Sequence, residues 1–166
     1  MGKTPRITFR KLMPDDAATC AALDFRSFGE HDAWDRQDFF EAAINADFEF
    51  IVAERYRQIV GCAGAEIFID GVAEIDSIAV DPNYQGQGIG KQLFIRLLKA
   101  VIKRGATFVV LEVRPSNTAA FNLYESMGFE IIDRVKNFYV DEDAWIMARE
   151  FKRGTFNERD LSSNDG

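Results

Sequence analysis

Val80-Asp81-Pro82-Asn83-Tyr84-Gln85-Gly86-Gln87-Gly88-Ile89-Gly90-Lys91 runs from a β-branched strand through a glycine-rich turn into an amphipathic helix. The spacing reads as a cradle for a pyrophosphate. Gly86, Gly88 and Gly90 remove the Cβ atoms that would hold a phosphate away from the backbone, and the free N–H groups of a helix start present partial positive charge to an anion. A diphosphate-bearing cofactor is implied, against the plain alternative of an ordinary strand-to-helix turn.

Two common glycine-rich patterns do not fit. A Walker loop needs Gly-Lys-Ser/Thr, but Lys91 is followed by Gln92 and offers no hydroxyl for magnesium. The dinucleotide fingerprint G-x-G-x-x-G needs a last glycine at 91 counted from Gly86, or at 93 counted from Gly88, and those positions hold Lys91 and Leu93. What remains is Gln-x-x-Gly-x-Gly, spelled Gln85-Gly86-Gln87-Gly88-Ile89-Gly90. It resembles the acetyl-coenzyme A loop of the GCN5-related N-acetyltransferases (GNAT), whose pattern is Arg/Gln-x-x-Gly-x-Gly/Ala.

The following residues read as helix, strand, helix and strand in quick succession. A helix spans Ile89 to about Lys103, with Leu93, Leu97, Leu98, Val101 and Ile102 on one face and Lys91, Arg96, Lys99, Lys103 and Arg104 on the other. Gly105 ends it. Phe108-Val109-Val110-Leu111-Glu112-Val113 is a near-continuous apolar run, the pattern of a strand buried on both faces. Asn117-Thr118 caps a second helix through Met127, whose inner stripe is Ala120, Leu123, Tyr124 and Met127, and Gly128 terminates it. Phe129-Glu130-Ile131-Ile132 opens another strand.

The block Leu111-Glu112-Val113-Arg114-Pro115-Ser116-Asn117-Thr118-Ala119-Ala120-Phe121-Asn122-Leu123-Tyr124-Glu125-Ser126-Met127-Gly128-Phe129 is similar to the L-E-V-R-x-S-N-x-x-A-x-x-L-Y-E-x-x-G-F block of the RimI-type N-terminal acetyltransferases. The resemblance is strong from Asp76 to Phe129, looser through Ala144 to Arg149, and thin before residue 70. It implies a GNAT fold of the α/β (α+β) class: a central mixed, mostly antiparallel sheet of about seven strands flanked by about four helices. Acetyl-CoA is expected at the splay between the two central parallel strands. The expected cofactor-binding residues are Ile78, Ala79 and Val80 on the strand that holds the thioester and pantetheine arm, Gln85, Gly86, Gln87, Gly88, Ile89, Gly90 and Lys91 in the loop, and Asn117 and Tyr124 beyond it. RimI-type enzymes acetylate the amino-terminal alanine of a small-subunit ribosomal protein, and relatives act on many protein N-termini.

Two residues of this block carry the expected chemistry. An acid inside Phe-Val-Val-Leu-Glu-Val either faces the functional side of the sheet or suffers burial, and burial raises a carboxyl pKa toward neutrality, as a general base requires. The alternative for Glu112 is a strand carboxylate paired with Arg114 or a backbone amide; the resemblance assigns it as the base. Tyr124 by periodicity is a core aromatic, while the resemblance places it near the coenzyme sulfur as the group that protonates the departing thiolate. A phenol with a pKa of about 10, against about 8.5 for a thiol, can donate to a developing thiolate without ionising.

An amine attacks a thioester only when neutral. An α-amino group with a pKa near 8 needs about one unit of help at neutral pH, whereas a lysine at about 10.4 needs roughly three, so a single glutamate suits an N-terminal amine. Direct transfer in a ternary complex is expected, with a backbone donor from Ser77-Ile78-Ala79-Val80 for the tetrahedral oxyanion. Cys20 and Cys62 have no nearby histidine signal and read as buried small hydrophobes rather than as nucleophiles.

The remaining sequence fits one domain, residues 1–153, followed by a polar, aperiodic tail over 154–166. Ile7-Thr8-Phe9-Arg10 reads as a strand, Pro14-Asp15-Asp16 starts a helix to about Phe28, and Asp35 caps another from Arg36 to Ile44. Strands follow at Phe48 to Glu54, Ile59 to Ile69 and Ala73 to Val80, the first two joined by a turn at Tyr56-Arg57-Gln58. The 166 residues are 47% hydrophobic and 28% charged, which is globular rather than disordered. Neither an internal repeat nor a transmembrane run is apparent.

Two cysteines make no disulfide framework, and Met1-Gly2-Lys3-Thr4-Pro5-Arg6 carries no hydrophobic secretion segment, so a cytoplasmic location is expected. A net charge of -7 argues against nucleic-acid or anionic-membrane partners. Acids gather at Glu30, Asp32, Asp35 and Asp38, at Asp70, Glu74 and Asp76, and at Asp141, Glu142 and Asp143. Most read as solvated faces; any that rim the acceptor groove would favour a basic polypeptide such as a ribosomal protein terminus. The lone His31 has no partner at metal-ligand spacing and reads as a surface loop residue; no metal is expected.

The acceptor side is less defined. RimI-type enzymes use a Tyr-Tyr pair late in the domain, and Phe138-Tyr139 stands there in this chain, so Tyr139 alone keeps a hydroxyl. The following Val140-Asp141-Glu142-Asp143 is shorter than the usual connection. Trp34 and Phe39 resemble a family Trp and Phe, with Ala33 in place of a frequent Pro; both also fit an ordinary core, Phe39 more than Trp34. Trp34 and Tyr139 are the expected substrate-binding residues, and a monomer or homodimer is the expected assembly. An acetyltransferase of the same fold acting on a small amine or a lysine is the second reading, and a non-catalytic coenzyme A-binding regulatory domain the third.

Overall fold

Local signals set most elements at the positions the sequence predicts. The computed structural model describes residues 6–153 and 156, and among them the order is β1 (Thr8–Lys11), α1 (Ala17–Phe28), α2 (Arg36–Ile44), β2 (Phe48–Arg55), β3 (Gln58–Ile67), β4 (Val72–Val80), α3 (Ile89–Lys103), β5 (Phe108–Val113), α4 (Thr118–Ser126), β6 (Glu130–Val135) and β7 (Ala144–Glu150). The strands form a seven-stranded sheet in the order β1-β2-β3-β4-β5-β7-β6. Its β1/β2, β2/β3, β5/β7 and β6/β7 pairs are antiparallel, and β4/β5 is parallel over Val72–Ile75 and Phe108–Leu111. The chain divides into two compact units, one holding residues up to Glu66 with Asp76–Leu97, the other Ile67–Ile75 with residues from Leu98 onward.

In the first unit, Leu12, Ala17, Cys20, Leu23, Phe39, Ala42, Phe50, Val52, Cys62 and Ala79 form a buried cluster. Phe39 is therefore a core residue, the reading that the sequence favours over a part in the acceptor site. Asp35 caps α2 reciprocally with Asp38: the Asp38 N–H donates to Asp35 Oδ1 at 2.9 Å and the Asp35 N–H to Asp38 Oδ2 at 2.9 Å. Pro14–Asp16 forms a single 3-10 turn ahead of α1, and Arg10 ties that turn to β2 by donating to both Asp16 and Glu54 at 2.7 Å. The β2–β3 turn is tighter than expected, because Tyr56 and Arg57 both adopt positive φ, 52° and 63°, in a two-residue hairpin, and Gln58 is already in the strand. At Gly64 a Cβ would overlap the Phe50 ring, so the glycine admits that ring to the core.

In the second unit, Leu98, Val101 and Ile102 from the end of α3 are buried with Val109, Leu111 and Val113 of β5. The expectation that β5 is buried on both faces is corrected: Phe108, Val110 and Glu112 on its other face are only half-buried. β3 also stops at Ile67, since Ile69 is fully exposed and Phe68 closes a turn by donating to Val72 at 2.8 Å. On β6, Ile131 and Ile132 are exposed. Apart from Phe156, whose ring lies 6.1 Å from that of Phe151, the expected polar tail falls outside the described residues. Among the described residues no helix is long and apolar enough to cross a membrane.

Candidate active site

In the first unit the chain leaves β4 at Val80 and is locked into its turn by side chains. Asp81 accepts from the Asn83 N–H at 2.9 Å, Tyr84 donates back to the Asp81 carbonyl at 2.8 Å, and Gln85 Nε2 donates to the Val80 carbonyl at 3.1 Å. Gly86 and Gly88 then take φ values of +74° and +77°, and a Cβ at either would touch nothing within 4 Å. The glycines are required by backbone conformation rather than by crowding within the protein. The first helical bond of α3 runs from the Gln92 N–H to the Gly88 carbonyl, so the preceding amides lack intrahelical acceptors. No acidic residue lies in the first turn of α3 and Lys91 is exposed there. An anion at this helix start would meet donors and no carboxylate from the first turn of α3.

The same unit holds Trp34, half-buried, with its ring 5.2 Å from that of Phe50, 5.6 Å from Phe39 and 6.0 Å from Phe48. Its backbone is fixed by Asp24, which is 1% exposed and accepts from the Trp34 N–H at 2.8 Å and from the Ser77 hydroxyl. Burial raises the Asp24 carboxyl above its ordinary range. Sequence reading missed this acid, although an Asp among the apolar residues of Ala21–Phe25 was a visible anomaly. Cys20 and Cys62 are both fully buried, and the Cys20 thiol together with burial pushes Cys62 far up, which leaves it inert. His31 is exposed in a turn.

In the second unit Glu112 projects from the half-buried face of β5. Desolvation first, and the charge of Glu74 on β4 second, push its carboxyl up to about 7. Arg114 is engaged elsewhere: it donates to Asp141 at 2.6 Å and to Glu142 at 3.4 Å, and its guanidinium stacks 4.0 Å from the centre of the Tyr139 ring. Glu142 also accepts from the Ser116 N–H and hydroxyl, each at 2.7 Å. The acids at 141–143 are thus ion-paired, with Asp143 on Arg134, rather than merely solvated. Tyr124, 8% exposed on the inner face of α4, is raised above its ordinary value by burial and by Tyr139, so its phenol stays protonated. Asn117 caps α4, accepting from the Ala120 N–H at 3.2 Å.

The expected residues therefore fall into two sets. Trp34, Ile78, Ala79, Val80 and Gln85 to Lys91 belong to the first unit, and Glu112, Asn117, Tyr124 and Tyr139 to the second. Among the described residues no group of three or more His, Cys, Asp or Glu could hold a metal ion.

Residues 16–129 match the model of the acetyltransferase (GNAT) family. The N-alpha-acetyltransferase RimI of Mycobacterium tuberculosis is 34% identical over 152 residues, 89% of this chain and 94% of that protein. The crystal structure of the ribosomal-protein-S18-alanine N-acetyltransferase from Escherichia coli superposes with a TM-score of 0.79 at 30% identity, over 92% of this chain and 97% of that one. The PaiA N-acetyltransferase of Thermoplasma acidophilum, solved in complex with coenzyme A, shares the fold with a TM-score of 0.70 at 20% identity, over 88% of this chain and 99% of that one. With its seven-stranded mixed sheet, its glycine loop ahead of α3 and these relatives, the chain is an acyltransferase that belongs to the GNAT family of N-acetyltransferases.

Proposed function

We propose that this protein transfers an acetyl group from acetyl-CoA to the N-terminal α-amine of a protein, with the N-terminal alanine of a small-subunit ribosomal protein as acceptor. The observation that carries the reading is Glu112, a half-buried strand carboxyl held near 7. A base of that strength lies within about one unit of an α-ammonium and about three of a lysine ammonium, so it discriminates in favour of the former. The 34% identical relative named for N-alpha-acetylation, matched over 94% of its length, supports the same choice.

The loop fits the coenzyme's diphosphate, because the left-handed Gly86 and Gly88 leave their outward side clear and the first amides of α3 are available as donors. Bound there, acetyl-CoA supplies the activated acyl group as a thioester and a thiol leaving group. Gln85 to Lys91 hold the diphosphate, Ile78 to Val80 offer backbone groups to the pantetheine arm and the oxyanion, and Asn117 completes the binding set. Glu112 removes the ammonium proton, directly or through one water, to free the attacking lone pair. Tyr124, protonated across the working pH range, donates a hydrogen bond or its proton to the departing sulfur. Trp34 and Tyr139 contact the acceptor chain, and the net charge of -7 favours a basic one.

The test follows thiol release from acetyl-CoA with a basic peptide beginning in alanine, beside the same peptide with a blocked N-terminus and an internal lysine. Release only from the free N-terminus, lost in Glu112→Gln, is the expected result. Release from the lysine peptide or a small amine alone transfers the activity to those acceptors. Tight acetyl-CoA binding with no turnover of any acceptor leaves a coenzyme-binding regulatory domain.

A further inference from the structure

The base that the proposed reaction requires does not stand alone on the sheet. β4 and β5 run parallel with Glu74 opposite Val110, so Glu112, two residues beyond Val110, lies on the same face one step along the diagonal from Glu74. Neighbours across such a diagonal stand about 7–8 Å apart at the backbone, within reach of two side chains as long as glutamate, and the Glu74 charge raises the Glu112 carboxyl. Two carboxylates so placed repel, and a hydrogen bond between them requires that one carry a proton.

We propose that Glu74 is a positioning residue for Glu112, the two forming a carboxyl pair that holds a single proton, with Glu74 setting the pH at which Glu112 becomes a free carboxylate. The inference rests on the reading of Glu112 as the base. When Glu112 takes the proton from the acceptor ammonium, its new O–H donates to the Glu74 carboxylate, so the protonated state gains a hydrogen bond as the mutual repulsion disappears. Glu74 thereby strengthens the base without touching substrate.

Besides Glu74, β4 carries a second acid on this face, Asp76, and the charge that most raises the Glu112 carboxyl is that of Glu74. From β7 the residue opposite Glu112 is Ile146, and opposite Val110 it is Ala148, both apolar. Arg114 on the same face of β5 is held by Asp141 and Glu142. Tyr124 stays protonated. Burial alone also lifts Glu112, so removing Glu74 lowers its pKa part of the way and not to the ordinary value.

The deciding measurement is the carboxyl carbon titration of Glu112 by NMR in glutamate-labelled full-length protein, the resonance being identified by its loss in Glu112→Gln. Glu74→Gln is isosteric and removes the charge, and its Glu112 midpoint should fall by about one unit from about 7, in step with the acidic limb of kcat/KM. Glu74→Asp keeps the charge and should restore most of the wild-type midpoint. A Glu112 midpoint equal in wild type and Glu74→Gln overturns the pair, as does a wild-type midpoint at the ordinary glutamate value. If Glu112→Gln keeps wild-type turnover, the base assignment fails, while the titration still decides the role of Glu74.

Discussion

Replacing Glu112 by glutamine should make the protein more stable, by an amount that grows as pH rises above about 4.5 and is complete above about 7. An ordinary glutamate titrates near 4.5, whereas the folded Glu112 does so at about 7. Below pH 4.5 the carboxyl is protonated in folded and unfolded chains alike and the substitution has no effect by this route. As pH rises toward 7 the unfolded chain releases its proton and the folded one resists, so wild-type stability falls and reaches its full deficit above 7. That interval corresponds to about 3 kcal/mol at about 1.36 kcal/mol per pH unit, and water at the half-exposed carboxylate screens it to about 2 kcal/mol. Urea unfolding followed through the tryptophans at pH 4, 6 and 8.5 reads the difference directly. Glu112→Gln should gain about 2 kcal/mol over wild type between pH 4 and 8.5. A difference that is flat across that range, or of opposite sign, refutes the claim that the fold holds this carboxylate at a cost.

Tyr124→Phe keeps the buried ring and removes the donor, so kcat should fall by about 10- to 100-fold while acetyl-CoA affinity by calorimetry stays within about threefold; an unchanged kcat sinks the proton-donor role. Gly88→Ala forces a side chain onto a φ of +77° and should weaken acetyl-CoA binding about tenfold. Gly29→Ala imposes similar strain at a φ of +80° after α1 and should leave that affinity unchanged, which separates the loop from general destabilisation. Glu142→Ala releases Ser116 and removes one carboxylate from Arg114, which stacks on Tyr139 and keeps Asp141, so the KM for the alanine-first peptide should rise about tenfold with acetyl-CoA affinity unaltered; an unchanged KM argues that Tyr139 does not serve the acceptor.

The elements that read correctly from sequence are those whose instructions are local. The apolar stripe and bounds of α3, Asp35 and Asp38 at the start of α2, and Asn117 at the start of α4 each act within one or two turns of chain. The β2–β3 turn misled because it uses Tyr56 and Arg57 in a conformation that Gly or Asn normally supplies. The apolar run predicts β3 as far as Ile69 although the strand stops at Ile67, since an apolar residue carries no mark that its side chain will face water. What stayed hidden on the active face was non-local. Glu74 lies beside Glu112 only through the β4–β5 register, and Asp141 and Glu142 meet Arg114 and Ser116 from 26 to 28 residues away. In the sequence both groups look like ordinary surface charge.

The chemistry ties these two kinds of information together. A glutamate at 4.5 facing an α-ammonium near 8 is an inefficient base, since each unit of mismatch costs about tenfold in the population of the deprotonated amine it can sustain. Lifting Glu112 to about 7 removes most of that mismatch and by the same step destabilises the folded protein above neutrality. The antiparallel ladder from Glu112 to Ile146, continued from Val113 to Trp145, holds the strand against that local penalty without placing a cation opposite the carboxylate. Tyr124 is shifted the other way in function: burial keeps it a donor wherever Glu112 is a base. The pH dependence of transfer should then report Glu112 and the amine alone, with no limb from the phenol below about pH 10.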